Sequence, residues 1–142
     1  MFHIAYAPQA ISVETPLQRY IHAGSSNLPI LLLIQFAHDL DYKVRRRVAE
    51  NVSTPGTLLE CLAEDSSEEV RIAVSENPTT PFHVLASLTQ DQAVSVRYDM
   101  ADNPRLSHAI HLILTQDENP YVAARAQSMV MTVGAYDEPL AA

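Results

Sequence analysis

The sequence predicts an all-α protein: a right-handed α-solenoid of about four 26-residue, two-helix repeats with atypical caps at its two ends. Two observations carry this expectation. Residues recur at a step of 26: Asp39, Asp65, Asp91 and Asp117; Val44, Val70, Val96 and Val122; Arg45, Arg71 and Arg97; Asn51, Asn77 and Asn103; Pro29, Pro55 and Pro81. Self-similarity at a period of about 20–50 residues marks units that bury their apolar faces only by stacking on neighbours. Each unit also holds two short blocks of helix-period apolar residues separated by turn formers. The repeats run 28–53, 54–79, 80–105 and 106–131, with residues 1–27 as an N-terminal cap or half-repeat and 132–142 as a tail.

At the amino-terminal end, stepping back one period from Arg45 and Ala49 lands on Arg19 and Ala23, so Leu17 to Ala23 reads as a decayed half-repeat with Gly24 to Asn27 as its exit turn. The first helix of repeat one is apolar nearly all round, with Ile30, Leu31 and Ile34 where repeat two has Gly56, Thr57 and Glu60. A helix without a polar face must be covered. Residues 1–23 lying over it as a cap is one expectation; a subunit or partner interface is the other.

Repeat two shows the unit most clearly. Thr54 before Pro55 predicts a helix start, with the hydroxyl accepting an orphan N–H and the proline at the first helical position. Leu58, Leu59 and Leu62 then share one face of a first helix. Ser67, with Asp41 and Asn119 at the equivalent positions, suits the cap of a second helix; Ala93 is the exception. Val70, Ala73 and Val74 form that helix's inward stripe, Asn77 is expected in the left-handed conformation that closes it, and Pro78 forbids continuation. At the far end, Val122 to Val133 reads as a last helix stopped by Gly134. Leu112, Ile113, Val130, Met131 and Val133 leave apolar surface there, to be covered by the tail from Tyr136 to Leu140 or by a homodimer through this end.

The pattern Asp-x(4)-Val-Arg-x-x-Val/Met-x-x-Asn-Pro, followed by Thr-Pro and a leucine pair, resembles the leucine-rich repeat variant family, all-helical solenoids related in architecture to HEAT repeats. The likeness spans roughly residues 28–128 and is strongest in repeats two and three. In repeat one Val52 replaces the proline after Asn51; in repeat four Ser107, Ala123 and Met129 replace the proline, arginine and asparagine. Some members of that family hold an iron–sulfur cluster on an amino-terminal cysteine group. With Cys61 as the one cysteine, that property does not carry over, and no cofactor is expected.

Composition bounds the function. Hydrophobic residues at 47% supply a core for a single 142-residue domain. The net charge of -8 is unevenly placed: residues 1–47 hold five Lys/Arg against three Asp/Glu, residues 48–142 four against fourteen. An acidic surface repels phosphate backbones, which counts against general nucleic-acid binding. The apolar stretch from Leu28 to Ala37 is broken by Pro29 and Gln35 and too short for a bilayer, and Met1 to Ile4 opens no secretory signal, so a cytoplasmic protein is expected.

Catalytic constellations are thin. His108 and His111 stand three apart without a third metal ligand, and His111 occupies the register of Leu33, Leu59 and Leu85, which reads as packing. Cys61 has no basic neighbour in sequence, and the chain's three glycines form no phosphate loop. Arg45, Arg71 and Arg97 read as structural, each pairing with an aspartate of its own or the adjacent repeat. No catalytic, cofactor or metal residue is assigned, and an enzyme is a distant third reading.

The expected function is therefore a non-catalytic protein–protein interaction module, an adaptor, assembly factor or inhibitor, binding through the outward positions of the second helices. Arg46, Arg47, Glu69, Ile72, Glu76, Tyr98, Asp102 and Tyr121 are the partner-binding candidates. Ile72 and Tyr98 form an apolar centre rimmed by opposite charges, unless Tyr98 lies flat on its own repeat. The alternative is nucleic-acid binding through the basic run from Lys43 to Arg47.

Overall fold

A computed structural model describes residues 14–134, with side chains through Thr132. Expectations for residues 1–13 and for the tail from Tyr136 to Leu140 lie outside the described residues. Within them the chain is all-helical, with nine helices and no strand. They are α1 (Pro16–Ala23), α2 (Ile30–Ala37), α3 (Tyr42–Glu50), α4 (Gly56–Leu62), α5 (Glu68–Glu76), α6 (Phe82–Leu88), α7 (Val94–Asp102), α8 (His108–Leu114) and α9 (Pro120–Gly134).

Helices of two to three turns are marginal alone, so packing must hold them. The second helix of each unit packs against the next in chain order: α1 on α3, α3 on α5, α5 on α7, α7 on α9. First helices touch one another more sparingly, α2 with α4 and α6 with α8. Val44, Val70, Val96 and Val122 are fully buried, and so is a parallel row one turn on, Val48, Val74, Met100 and Ala126. Leu33, Leu59, Leu62, Leu88, Ile110 and Leu114 close the core from the first helices.

Three polar ladders run along this core. The first joins each arginine to the aspartate 20 residues ahead. Arg45 Nε donates to Asp65 Oδ2 at 2.7 Å and Nη2 to Oδ1 at 2.9 Å. Arg71 forks onto Asp91 at 2.7 and 3.0 Å, and Arg97 onto Asp117 at 2.7 and 3.2 Å. Arg19 of α1 makes the same fork onto Asp39, again 20 residues ahead. Each guanidinium also reaches back, Nη1 of Arg19, Arg45, Arg71 and Arg97 donating to the carbonyls of Glu14, Asp39, Asp65 and Asp91. The aspartates in turn hold the second-helix starts, Asp65 Oδ1 accepting from the Ser67 N–H at 2.9 Å. Burial pulls the Asp65 and Asp117 carboxyls up, but the guanidinium and backbone N–H bonds outweigh it and hold both below the usual range.

The second ladder corrects the expected role of Asn77. Its backbone is extended, at φ −71° and ψ 122°, and no non-glycine residue among those described has positive φ. The side chain instead spans to the preceding unit: Nδ2 donates to the carbonyls of Ala49 at 2.7 Å and Asn51 at 3.0 Å. Asn51 does the same to Ala23 and Ser25, both at 2.9 Å. Helix carbonyls that end in the interior need donors, and each asparagine supplies two of them in the unit before its own.

The third ladder corrects Thr54. Its hydroxyl donates to the Val48 carbonyl at 2.7 Å, as Thr80 does to Val74 at 2.6 Å, and Pro55 is the N-cap of α4, one position before the helix. Buried beside the end of α3, Thr54 meets an unfilled acceptor there before any helix N–H. Ser67 likewise makes no side-chain cap: its hydroxyl donates to Glu69 at 2.6 Å. Asp41 and Asn119 do cap, accepting from the N–H groups of Lys43 and Tyr121. Thr15 and Gln18 form a reciprocal capping box at α1.

At the ends, Ile30, Leu31, Leu32 and Ile34 of α2 are exposed although α1 packs beside them. Leu112, Ile113 and Met131 are exposed at the other end. The last helix, Pro120–Gly134, begins before the expected start at Val122 and includes the glycine that was expected to stop it.

Candidate functional site

Because α3, α5, α7 and α9 lie side by side, their outward residues form a single face. Seven of the eight expected partner-binding residues stand on it at least partly accessible: Arg46, Glu69, Glu76, Tyr98, Asp102 and Tyr121 are exposed and Arg47 is half-buried. Ile72 does not serve as an exposed apolar centre. It is half-buried and packed against the core. Ala73 beside it is buried, as are Arg71 and Ser75. The apolar contribution of the face comes from Tyr98, 43% exposed, and Tyr121, 76% exposed.

The cations at the α3 end are largely spoken for. Arg46 Nε pairs with Glu50 at 2.8 Å and Arg47 Nη1 with the same carboxylate at 3.0 Å. The Arg47 guanidinium also lies over the Tyr20 ring, 5.4 Å from its centroid, and presses on Gly24, where any Cβ would collide with it. Arg45 is sealed in the ladder. Of the run from Lys43 to Arg47, Lys43 alone makes no ion pair among the described residues. A row of phosphates would have to displace internal carboxylates to use this patch.

The middle of the face is acidic. Glu50, Glu76 and Asp102 are the last residues of α3, α5 and α7, where a helix dipole disfavours negative charge. Burial, then Asp99, pushes the Glu76 carboxyl above its usual value; burial, then Asp102, does the same for Asp99. Glu69 goes the other way, held low by the Ser67 hydroxyl. Across the helices, Ser95 Oγ donates to Glu68 at 2.8 Å and Arg125 of α9 pairs with Asp102.

No set of three or more His, Cys, Asp or Glu that could hold a metal exists among the described residues. His108 is exposed while His111 is buried, so the two do not converge. Burial pushes the His111 imidazole below its ordinary pKa against the pull of the Ser107 and Asn103 carbonyls, and its Nε2 has no partner in hydrogen-bonding geometry. Cys61 is an exposed free thiol. No described helix is long and apolar enough to cross a membrane.

Sequence reasoning missed Glu50, which neutralises two arginines, and Asp99, which makes the acidic centre. A signal for Glu50 was present, since positions 50, 76 and 102 recur as acids at the step of 26; Asp99 has none, its counterparts being Arg47, Ala73 and Arg125. Comparison of the chain with family models, curated proteins and solved structures finds no match.

Proposed function

We propose that the chain is a right-handed α-solenoid of four 26-residue units plus a half-unit, similar to leucine-rich repeat variant and HEAT-like proteins, and that it works without catalysis as a protein-binding module. The second-helix face is the binding surface. The observation that carries this reading is the pairing of two exposed tyrosines, Tyr98 and Tyr121, with carboxylates at Glu69, Glu76 and Asp99 that make no ion pair among the described residues. Tyrosines on a rigid surface anchor partners at low entropic cost, and unpaired carboxylates select a basic one. Partial desolvation of Glu76 and Asp99 means that a cation docked beside them relieves an existing strain. The partner is thus a protein presenting a basic patch around an apolar anchor.

The test is affinity capture from the native host with mass spectrometry of what co-elutes, followed by reconstitution of the purified pair. A stoichiometric protein bound in a salt-dependent way is the expected result. Tyr98→Ala with Tyr121→Ala should abolish the complex while helical content and melting stay intact. Survival of the complex in that double variant would rule out this face, and nuclease-sensitive material in place of a protein would favour the nucleic-acid reading.

A further inference from the structure

The asparagine ladder breaks once, and a cavity opens at the break. Continuing the step of 26, Asn103 should reach the carbonyls of Ser75 and Asn77 as Asn77 reaches those of Ala49 and Asn51. Among the described residues it does neither. Its Oδ1 accepts from the Arg105 N–H at 3.0 Å, and the residue is half-buried where Asn51 and Asn77 are buried. In the space left unspanned lies a cavity of about 290 Å³ lined by Ser75, Asn77, Asn103, Phe82, Leu85 and Leu106. Glu76 and Arg105 stand on its rim, and neither makes an ion pair among the described residues.

We infer that this cleft between repeats two and three is a second recognition site, which takes an extended peptide segment of a partner and buries one apolar side chain of it. Its chemistry is that of an unfinished rung. The carbonyls of Ser75 and Asn77 lack the donor that Asn103 would bring, the latter accepting the Thr80 N–H, and the carboxamide nitrogen of Asn103 has no carbonyl to donate to among the described residues. A peptide backbone supplies both groups, one residue apart, and completes the ladder from outside. Phe82, 55% exposed, and the half-buried Leu85 and Leu106 form the wall for a leucine- or methionine-sized side chain. The rim holds one acid and one base, so a polyanion gains nothing there, whereas a mixed-charge peptide complements both. The cleft lies on the loop edge of the units. It stands independently of the second-helix face, with Glu76 as the residue the two share.

The experiment is a titration of the isotope-labelled full chain with N-acetyl-leucine methylamide, followed by amide chemical shifts, with N-acetyl-serine methylamide as control. Saturable shifts at Leu85, Asn103, Arg105 and Leu106 with the leucine probe, and none with the serine probe, are expected. Asn103→Ala and Phe82→Ser should each weaken binding about tenfold with folding unchanged. Tyr98→Ala with Tyr121→Ala should leave the shifts intact, so this site can stand or fall apart from the proposed face. Equal response to both probes, shifts centred elsewhere, or indifference to both cleft variants would overturn the inference.

Discussion

Replacing Arg71 by methionine keeps the aliphatic stem and deletes the guanidinium. In the native chain that group donates to Asp91 Oδ2 at 2.7 Å, to Asp91 Oδ1 at 3.0 Å and to the Asp65 carbonyl at 2.7 Å. Both side chains are nearly sealed, at 7% and 5% exposure. Removing one partner of a buried pair costs about 3–5 kcal/mol, chiefly through the charge left behind. Asp91 retains one donor, the Ala93 N–H at 2.8 Å. We therefore expect Arg71→Met to cost about 3 kcal/mol, the lower end of that range. Arg71→Lys keeps the charge but loses the fork, for about 1–2 kcal/mol. Arg71→Met with Asp91→Leu removes both charges and should recover most of the loss. The control is Arg46→Met, whose pair with Glu50 is 50% and 27% exposed and is worth under about 1 kcal/mol. Urea unfolding followed by circular dichroism, at a common slope, measures all four. If Arg71→Met costs no more than Arg46→Met, the arginine ladder decorates the repeats without fastening them. If the double variant is as damaged as the single one, stranded charge is not the mechanism.

The asparagines should split by register. Asn77→Ala strands the Ala49 carbonyl, takes one of two donors from the Asn51 carbonyl, which keeps the Thr54 N–H, and frees the Thr79 N–H from Oδ1, costing about 2–3 kcal/mol, whereas Asn103→Ala costs under about 1 kcal/mol; urea midpoints check the contrast. His111 should make stability acid-sensitive. Its folded pKa lies below its unfolded value near 6.5, so the unfolded chain takes the proton first and stability is lost as pH falls from about 6.5 toward the folded pKa, with no further loss below it. His111→Leu restores the residue type of Leu59 and Leu85, removes an orphaned buried nitrogen, and should raise the melting temperature and flatten that decline. A variant with an unchanged pH profile would place the acid sensitivity elsewhere.

Much of the architecture was readable because each unit solves the same local problem. Val44, Val70, Val96 and Val122 recur since one buried seat recurs, and the aspartate–arginine register followed from two charges in step near the turns. The roles of Thr54 and Asn77 were not readable. A threonine or asparagine beside a proline satisfies helix-cap preferences equally well, and only the neighbouring unit's unfilled carbonyls decide otherwise. Ile72 was misplaced for a related reason. A helical wheel assumes one buried side, but α3, α5 and α7 each have a helix on both flanks, so the cover at a given position is set by the neighbouring side chains: it is exposed as Arg46 and Tyr98 and half-covered as Ile72. On the candidate face, charge types were legible from sequence, but which cations were already neutralised was not, since Arg47 spends itself on Tyr20 and Glu50.

The ladders have a bearing on how such a chain can change its length. Each arginine looks 20 residues ahead and each asparagine of the intact rungs 26 and 28 back, so these bonds are defined by relative offset and cross a single seam. A duplicate of residues 54–79 inserted after Thr79 would find the complementary group waiting at both of its edges. An insertion one residue longer or shorter would put every rung at that seam out of phase. Growth by gene duplication is therefore chemically cheap for this protein in whole copies of its unit and costly in any other increment.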